Sequence, residues 1–403
     1  MRQKFIPTVI ASFLLGSVAL VGCSSAADTT SADASTSISS STSSATTQTA
    51  STGSSDTTAG TIADTTAAAE AFITTLSTEQ QDTLLYDFTD ENKSTTWSNY
   101  PVTFVERAGL NLNDLTEEQQ AAALNVLKSL LNDDAYQQIE DIMAGDQYLN
   151  DASTSSEDSL GQYYIAFYGS PSTSEDWSVQ FGGHHIGINA TFSGGDITFA
   201  PTHLGVQPAE WVNSEGETVS AFDATYEDAF NFYDSLTEEQ LASLYQSEEV
   251  ATMVCAPGGT CDYPTDTGLK GSNLTDEQKD LLLELISNWV GLADTETTTE
   301  ELAAISETLD DTYINWSGTT SYDTSTGEGI YFQISGPKVY IEFANQNGSA
   351  GADISGVVTA GWGHIHSIYR DPTNDYANSV TQGEASMSGG PGAGDMTGTA
   401  PAA

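Results

Sequence analysis

The chain has 403 residues, 38% of them hydrophobic, which is enough for one large or two medium hydrophobic cores. It carries 57 acidic residues against 9 Lys and Arg residues, a formal net charge of −48. Nucleic-acid binding needs clustered basic side chains that contact phosphates, so we expect no nucleic-acid partner. A surface this acidic repels itself at low salt and is tolerated where counterions screen the charge.

The N-terminus has the pattern of a lipoprotein signal peptide. Arg2 and Lys4 form a basic start, residues 5–21 are mostly apolar, and a Gly precedes Cys23. The pattern predicts removal of residues 1–22 and lipidation of Cys23 with palmitate, so that the membrane is a partner. An ordinary signal peptide and a short membrane anchor are the alternatives. We expect a lipid-anchored protein in the cell envelope, outside the cytoplasmic membrane, at the outer membrane or the cell surface.

Low-complexity segments flank the region that is able to fold. Residues 23–64 are almost entirely Ser, Thr, Ala, Asp and Gly, and they bury too little apolar surface to fold. They predict a disordered tether, and residues 379–403 predict a disordered tail of similar composition. The sequence between them divides into two halves of comparable length, residues 65–212 and residues 213–378.

A short helix-start pattern recurs four times in these halves. It consists of a Leu, a Ser or Thr as N-cap, acidic residues in the first turn, and a Gln three residues after the N-cap. The Gln completes a capping box, in which side chains satisfy the free N–H groups of the first helical turn. The pattern therefore predicts four helices, two in each half, that start within residues 76–80, 115–119, 236–240 and 274–278.

Strand-like patterns follow each pair of helix starts in the same order. Residues 164–169 resemble residues 313–318, and residues 179–192 resemble residues 331–343. We interpret this order as an internal duplication and predict an α+β fold of two similar halves, each with helices followed by an antiparallel sheet. The alternative is chance similarity between amphipathic helices.

Two further cysteines lie close together in the second half. Cys255 and Cys261 are separated by a Pro-Gly-Gly turn signal at residues 257–259. In an oxidising compartment this spacing favours a local disulfide bond. A metal site is the weaker alternative, because no His lies nearby in the sequence.

The arrangement of histidines is the strongest indication of chemistry. The chain lacks the Gly-x-Ser-x-Gly, His-Glu-x-x-His and phosphate-binding loop motifs. Its five histidines all fall in three short segments, residues 183–185, 201–203 and 364–366. Two of these segments lie in the strand part of the first half, and the third follows the strand part of the second half. If the halves are related by a pseudo-two-fold axis, we expect the three segments to meet at the same end of the two sheets.

Strand geometry indicates which imidazoles are able to share a ligand. Residues two apart lie on one face of a strand, so His364 and His366 are placed to chelate one metal ion. The adjacent His184 and His185 point oppositely unless the neighbouring glycines form a bulge. Alternation then places His185 with polar residues and His184 with apolar residues, which makes His185 the better ligand candidate and His184 the better structural one. His203 is a candidate for an additional ligand.

Neutral imidazoles suit a transition metal such as zinc or copper, and three of them with an open fourth position form a catalytic geometry. The alternative is that these histidines are simply hydrogen-bonded in the core.

Charged side chains near the C-terminal His pair are candidates for a role in the same site. Arg370 is one of two Arg residues after the predicted signal peptide, and it would hold a small anionic ligand by its carboxylate or phosphate group. Its alternative role is an ion pair with a buried carboxylate such as Asp371. Asp371 or Asp375 would alternatively orient a His ring.

These motifs resemble a known family. Gly-His-His at residues 183–185 and the longer run His-Ile-His-Ser-Ile-Tyr-Arg-Asp-Pro-Thr-Asn-Asp-Tyr at residues 364–376 are similar to the bacterial family catalogued as domain of unknown function 3500. Ala377 stands where the resemblance leads us to expect Gly. The family has no established activity, so the resemblance implies site positions and no reaction. These positions are His184, His185, His364, His366, Arg370, Asp371, Asn374, Asp375 and Tyr376.

The sequence leaves three hypotheses for function. The first is a lipid-anchored protein with a His-lined metal site that catalyses metal-dependent hydrolysis or oxidation, with His185, His364 and His366 as ligands and Arg370 holding an anionic group. The second is a non-enzymatic surface protein that binds a metal ion or a small ligand. The third is an interaction module whose histidines belong to the core.

Overall fold

The computed structural model describes residues 56–154, 160–261, 263, 265–324, 328–347 and 353–385. The predicted signal peptide, Cys23 and most of the predicted tether lie outside these residues. Helix α1 begins at Thr58, within the segment that composition assigned to the tether. Its Ala residues favour a helix, and its buried residues include several Thr as well as Phe72. This part of the predicted tether therefore folds despite its Ser/Thr/Ala composition. At the other end, residues 379–385 are also described.

Helices form the first structural layer. Each of the four predicted capping boxes is present, with Ser77, Thr116, Thr237 and Thr275 as N-caps. None of the helices in the described part of the chain is both long enough and apolar enough to cross a membrane. The helices are α1 (Thr58–Thr74), α2 (Thr78–Leu84), α3 (Asn92–Thr95), α4 (Glu117–Leu130), α5 (Asp133–Ala152), α6 (Asp223–Asp234), α7 (Glu238–Leu244), α8 (Asp276–Val290) and α9 (Thr295–Ser306).

Strands from both halves join one large sheet, which has 13 strands among the described residues. A separate pair is formed by β8 and β9. The strands are β1 (Leu85–Tyr86), β2 (Leu110–Asn111), β3 (Tyr164–Tyr168), β4 (Trp177–Gly182), β5 (Ile186–Ser193), β6 (Asp196–Thr198), β7 (Thr202–Val206), β8 (Glu210–Val212), β9 (Thr218–Ser220), β10 (Tyr245–Ser247), β11 (Leu269–Lys270), β12 (Tyr313–Gly318), β13 (Ile330–Ser335), β14 (Tyr340–Gln346) and β15 (Gly361–Arg370).

The strand order of the large sheet is β1-β3-β4-β5-β7-β15-β14-β13-β12-β10. The α+β prediction is confirmed, but the sheet is mixed and not purely antiparallel. Strand β1 pairs with β3, and β10 with β12, in parallel. The connections from β1 to β3 and from β10 to β12 run through helices, which is the crossover that a parallel pair needs. The two halves meet where β7 and β15 pair antiparallel at the centre, so they share one sheet.

The two faces of the central strands have different surroundings. On β15, Ser367 and Tyr369 face the helices, where Trp289 Nε1 donates to Ser367 Oγ at 2.9 Å. His366, Ile368 and Arg370 alternate with them and face the loops that follow α3 and β10. The apolar face therefore packs on the helical layer, and the loop-covered face carries the polar side chains.

The loop after β10 is closed by the predicted cysteine pair. The Sγ atoms of Cys255 and Cys261 lie 2.15 Å apart, the distance of a disulfide bond. Gly258 has a φ of +79°, which glycine adopts without strain, and Gly259 N donates to Ala256 O at 2.9 Å. The Pro-Gly-Gly segment thus forms the turn that brings the two sulfurs together.

Candidate metal centre

Four imidazoles gather at one end of the central strands. His184 and His185 lie in the turn between β4 and β5, and His364 and His366 lie on β15. The ring centroids are 4.3 Å apart for His184 and His185, 5.3 Å for His185 and His366, and 4.8 Å for His364 and His366. We call this group the His cluster: His184, His185, His364 and His366.

The turn that carries the first two histidines requires glycine at residue 183. A Cβ atom on Gly183 would lie 2.6 Å from Gln162 O, closer than atoms are able to pack. Gly183 N donates to Ile186 O at 2.8 Å, which closes the turn. Because His184 and His185 are turn residues, strand alternation does not apply to them. The glycine turn is the exception that the sequence left open, and the rings of His184 and His185 are stacked instead of pointing oppositely.

His185 is held by a carboxylate from the helical layer. Its Nδ1 hydrogen-bonds Oδ1 of Asp146 on α5, and Tyr163 Oη donates to Asp146 Oδ2 at 2.6 Å. Burial raises the pKa of Asp146 to about 6 and lowers the pKa of His185 to about 3, so at pH 7 an ionised carboxylate faces a neutral ring. A proton on Nδ1 leaves the lone pair on Nε2, which is the pattern found behind metal-binding histidines.

His366 is oriented from the opposite side by a loop residue. The amide of Asn99 contacts His366 Nδ1 at 3.0 Å. The amide atom placed there is Nδ2, which donates to an unprotonated Nδ1 and leaves the proton on Nε2. Turning the amide by 180° brings Oδ1, which is buried without a partner, against a protonated Nδ1, and in that orientation Nε2 keeps its lone pair for a metal. Gly205 lies opposite on β7, and a Cβ there would lie 3.0 Å from His366 Cδ2, so glycine makes room for the ring.

Five ring nitrogens of the His cluster are buried without a hydrogen-bond partner among the described residues. Leaving a buried polar atom unpaired costs roughly 1–3 kcal/mol, and such atoms are rare in folded proteins. Their concentration in one cluster fits a group that accepts several nitrogen lone pairs at once. The five are Nδ1 of His184, Nε2 of His185, both nitrogens of His364, and Nε2 of His366.

A metal ion is such a group, and three residues fit it best. One nitrogen each from His184, His185 and His366 lies within 4.8 Å of the others. Tetrahedral zinc with Zn–N bonds of about 2.0–2.1 Å needs N···N separations of roughly 3.4 Å, so small side-chain rotations suffice. Burial lowers the pKa of all four rings, to about 3 for His364, so they are neutral at pH 7 and able to ligate. The His cluster could therefore hold a metal ion.

His203 does not fit the predicted role of ligand. Its ring lies 5.3 Å from that of His366, but its Nδ1 is 2.7 Å from Ser367 O and its Nε2 is 3.2 Å from His184 O. Both nitrogens are therefore directed at backbone carbonyls. His203 supports the backbone of the two segments that carry the cluster.

The charged side chains that the sequence made candidates for the same site, including the catalytic candidates Arg370, Asp371 and Asp375, lie away from the His cluster. Arg370 is four residues from His366 along β15, about 13 Å at the usual rise of a strand. Its Nε donates to Asp375 Oδ2 at 2.6 Å and its Nη1 to Gly259 O at 3.3 Å. The guanidinium expected to hold an anionic ligand is thus bound within the protein, with Asp375 and not Asp371 as the partner.

Asp371 and its neighbours form a turn that docks on the sheet. Asp371 Oδ1 accepts from Thr373 N at 2.7 Å, so it orders the turn and does not orient a His ring. Tyr376 is buried, and its hydroxyl accepts from Trp97 Nε1 at 2.8 Å. Ala377 has a φ of +50°, a conformation in which Gly is less strained, which agrees with the expectation of Gly there. The long C-terminal motif therefore has a structural role in this region.

Sequence reasoning missed Asp146, Tyr163 and Asn99. Asp146 does leave a signal, because it continues the buried stripe of α5 formed by Ile139, Ile142 and Leu149. A carboxylate at a core position of a helix indicates a buried partner. Asn99 lies in an irregular loop, and nothing in its local sequence indicates its contact.

Residues 58–378 match the family model described as Protein of unknown function (DUF3500). Neither the curated proteins nor the solved structures give a match. The matched region contains the His cluster, Asp146 and the turn at residues 371–376. Since the match spans most of the chain, the chain belongs to this family of unknown function.

Proposed function

We propose that the protein binds a transition-metal ion, zinc or copper, through His184, His185 and His366. The observation that carries this proposal is a set of five buried ring nitrogens without partners, in a cluster where one nitrogen from each of these three residues lies within 4.8 Å of the others. Neutral imidazoles are good ligands for both metals, and the carboxylate behind His185 is the expected support for such a ligand.

A second candidate function is metal-dependent hydrolysis or oxidation at the same ion. His364 favours it, because both of its nitrogens are unpartnered and its ring is 5.6 Å from that of His185 without belonging to the three-nitrogen group. Three ligands leave one position for water or substrate. His184 and His364 are the most exposed members of the cluster, at 9% and 8%, and they mark the side from which a ligand would enter.

Metal titration tests the binding proposal. The protein is purified without chelators, and zinc and copper are titrated against a chromophoric chelator. We expect about one ion per chain, a loss of at least about 100-fold in affinity for His185→Ala and His366→Ala, and about 10–100-fold for Asp146→Asn.

The matched control is His203→Gln, a buried imidazole outside the ligand set, which should keep the stoichiometry. Less than about 0.1 ion per chain for the wild-type protein would reject the proposal.

We also propose that the protein is exported and anchored by lipid on Cys23. The support is the basic, apolar and Gly-Cys pattern of the N-terminus. Metabolic labelling with a palmitate analogue should mark the wild-type protein and not Cys23→Ser. Equal labelling of both would reject the anchor.

We further propose that the two halves arose by duplication. The strand order supports this proposal, because the strands of the second half follow those of the first in reverse order across the sheet. Two matching turns also support it: Gly183 N donates to Ile186 O, and Gly336 N donates to Val339 O. The second turn carries Pro337 and Lys338 in place of the two histidines. The second turn therefore cannot form a matching pair of histidines, and the duplicated fold would hold one His cluster per chain.

A further inference from the structure

Arg107 is a buried arginine whose contacts differ from those of Arg370. Its guanidinium donates to four backbone carbonyls: Val105 O, Ser98 O at 2.7 Å, Tyr100 O at 2.7 Å and Gly183 O at 2.8 Å. In the part of the chain that the structure describes, no carboxylate lies within ion-pair distance of it. A buried charge without a counter-ion is costly, and the four carbonyl oxygens offset that cost by replacing the water that would otherwise solvate the guanidinium.

The carbonyls belong to the turn that carries two of the proposed ligands and to the loop that contacts the third. Gly183 directly precedes His184 and His185 in the β4–β5 turn. Ser98 and Tyr100 flank Asn99, whose amide contacts His366 Nδ1. One guanidinium thus joins the backbone that positions His185 to the backbone that orients His366. The planar fork of arginine is suited to this bridge, since it presents five N–H donors in a fixed geometry.

The joined segments have few regular contacts of their own. Residues 98–107 lie outside helices, and Gly183 lies in a turn, so neither segment is held by helix or sheet hydrogen bonds over its length. Asp146 holds the His185 ring from the helical side, and Arg107 holds the backbone on the loop side.

We propose that Arg107 is a positioning residue of the metal site, which sets the distance between the His184–His185 pair and His366. This inference rests on the proposed metal binding. It assigns the second Arg to the geometry of the site, where the sequence drew attention only to Arg370.

The test compares Arg107→Gln and Arg107→Lys with Arg370→Gln, which removes an equally buried guanidinium outside the site. Zinc affinity is measured by chelator competition, and Co²⁺ absorption reports the coordination geometry. We expect Arg107→Gln to lower zinc affinity about 10–100-fold and to change the Co²⁺ spectrum. Arg370→Gln should lower thermal stability and keep zinc affinity within about threefold. Lys retains the charge without the fork, so Arg107→Lys should not restore the affinity.

Hydrogen exchange of the metal-free proteins separates this inference from the metal proposal. In both Arg107 variants we expect the amides of residues 98–100 and 183–186 to exchange about tenfold faster than in Arg370→Gln. If the wild-type protein binds neither zinc nor cobalt, the metal proposal is rejected. The exchange rates would still test whether Arg107 holds residues 98–100 and 183–186 together. If Arg107→Lys has the zinc affinity, Co²⁺ spectrum and exchange rates of the wild-type protein, the positioning role is overturned. This variant also provides the test if Arg107→Gln does not fold.

Discussion

His185 and His203 are both fully buried, yet only one of them has a ring nitrogen left for a ligand. His203 directs both nitrogens at carbonyl oxygens, whereas His185 contacts Asp146 through Nδ1 and keeps Nε2 unpartnered. Burial alone therefore does not identify a ligand. A ring nitrogen that has no hydrogen-bond partner within the fold is what identifies a candidate ligand.

Lys93 gives a prediction about pH. It is 1% exposed, its Nζ lies 4.0 Å from the Phe88 ring centroid and donates to Ser379 Oγ, and burial lowers its pKa to about 7, against the opposing charge of Asp90. Between pH 7 and the ordinary pKa of Lys, the unfolded chain binds this proton and the native chain does not. The free energy of unfolding therefore rises with pH in that window.

Lys93→Met removes this effect. From pH 7 to pH 9 the wild-type protein should gain about 2 kcal/mol of unfolding free energy relative to Lys93→Met, as measured by urea denaturation. Lys128→Met, at an exposed site on α4, makes the same change of residue type outside the core and is the control. A constant difference between wild type and Lys93→Met would mean that the amine remains charged in the fold.

Ala377 gives a prediction about backbone strain. Because it has a φ of +50°, Ala377→Gly should raise the unfolding free energy by about 0.5–1 kcal/mol. Ala67→Gly on an exposed turn of α1 is the opposite control and should lower it by about 1 kcal/mol. Destabilisation by Ala377→Gly in denaturant unfolding would show that the turn holds residue 377 without strain.

At the scale of elements, the four repeated helix starts act in pairs. Gln119 Nε2 donates to Gln80 Oε1 at 3.1 Å, and Gln278 Nε2 donates to Gln240 Oε1 at 3.0 Å. Each pair joins the N-termini of two helices in one half. The sequence indicates each capping box, but the contact between boxes depends on how the helices pack.

These pairs predict a larger effect than an isolated cap. Gln278 also accepts from Thr275 N and donates to Ser235 O, so Gln278→Ala should lower the unfolding free energy by about 2 kcal/mol, and Gln119→Ala by a similar amount. Gln137→Ala, on the exposed side of α5, should change it by less than about 0.5 kcal/mol. Urea denaturation measures all three. Equal effects of Gln278→Ala and Gln137→Ala would show that the paired caps add nothing.

At the scale of the whole molecule, the net charge of −48 predicts a strong response to salt. Salt shortens the Debye length from about 30 Å at 0.01 M to about 3 Å at 1 M, which weakens the repulsion between acidic groups in the folded state. We expect the thermal midpoint to rise by at least about 5 °C over this range. Sodium and choline chloride should act equally if screening is the cause. A rise with sodium alone would indicate cation binding instead.

The sequence by itself determined the features that depend on neighbouring residues. Capping boxes follow from hydrogen bonds within one turn, the Cys255–Cys261 pair from the turn between them, and the shared face of His364 and His366 from strand alternation. The α+β class follows from the order of helix and strand patterns. These features need no knowledge of how distant segments pack.

Only the tertiary structure decided what depends on distant contacts. Asp146 reaches His185 across 39 residues, and Arg107 reaches Gly183 across 76, so local sequence gives no measure of either contact. Even the nearby contact of Arg370 depends on the folded turn: Asp375 binds the guanidinium, while Asp371 Oδ1 accepts from Thr373 N. Long-range contacts likewise decide which ring nitrogens have hydrogen-bond partners and which are left to bind a metal.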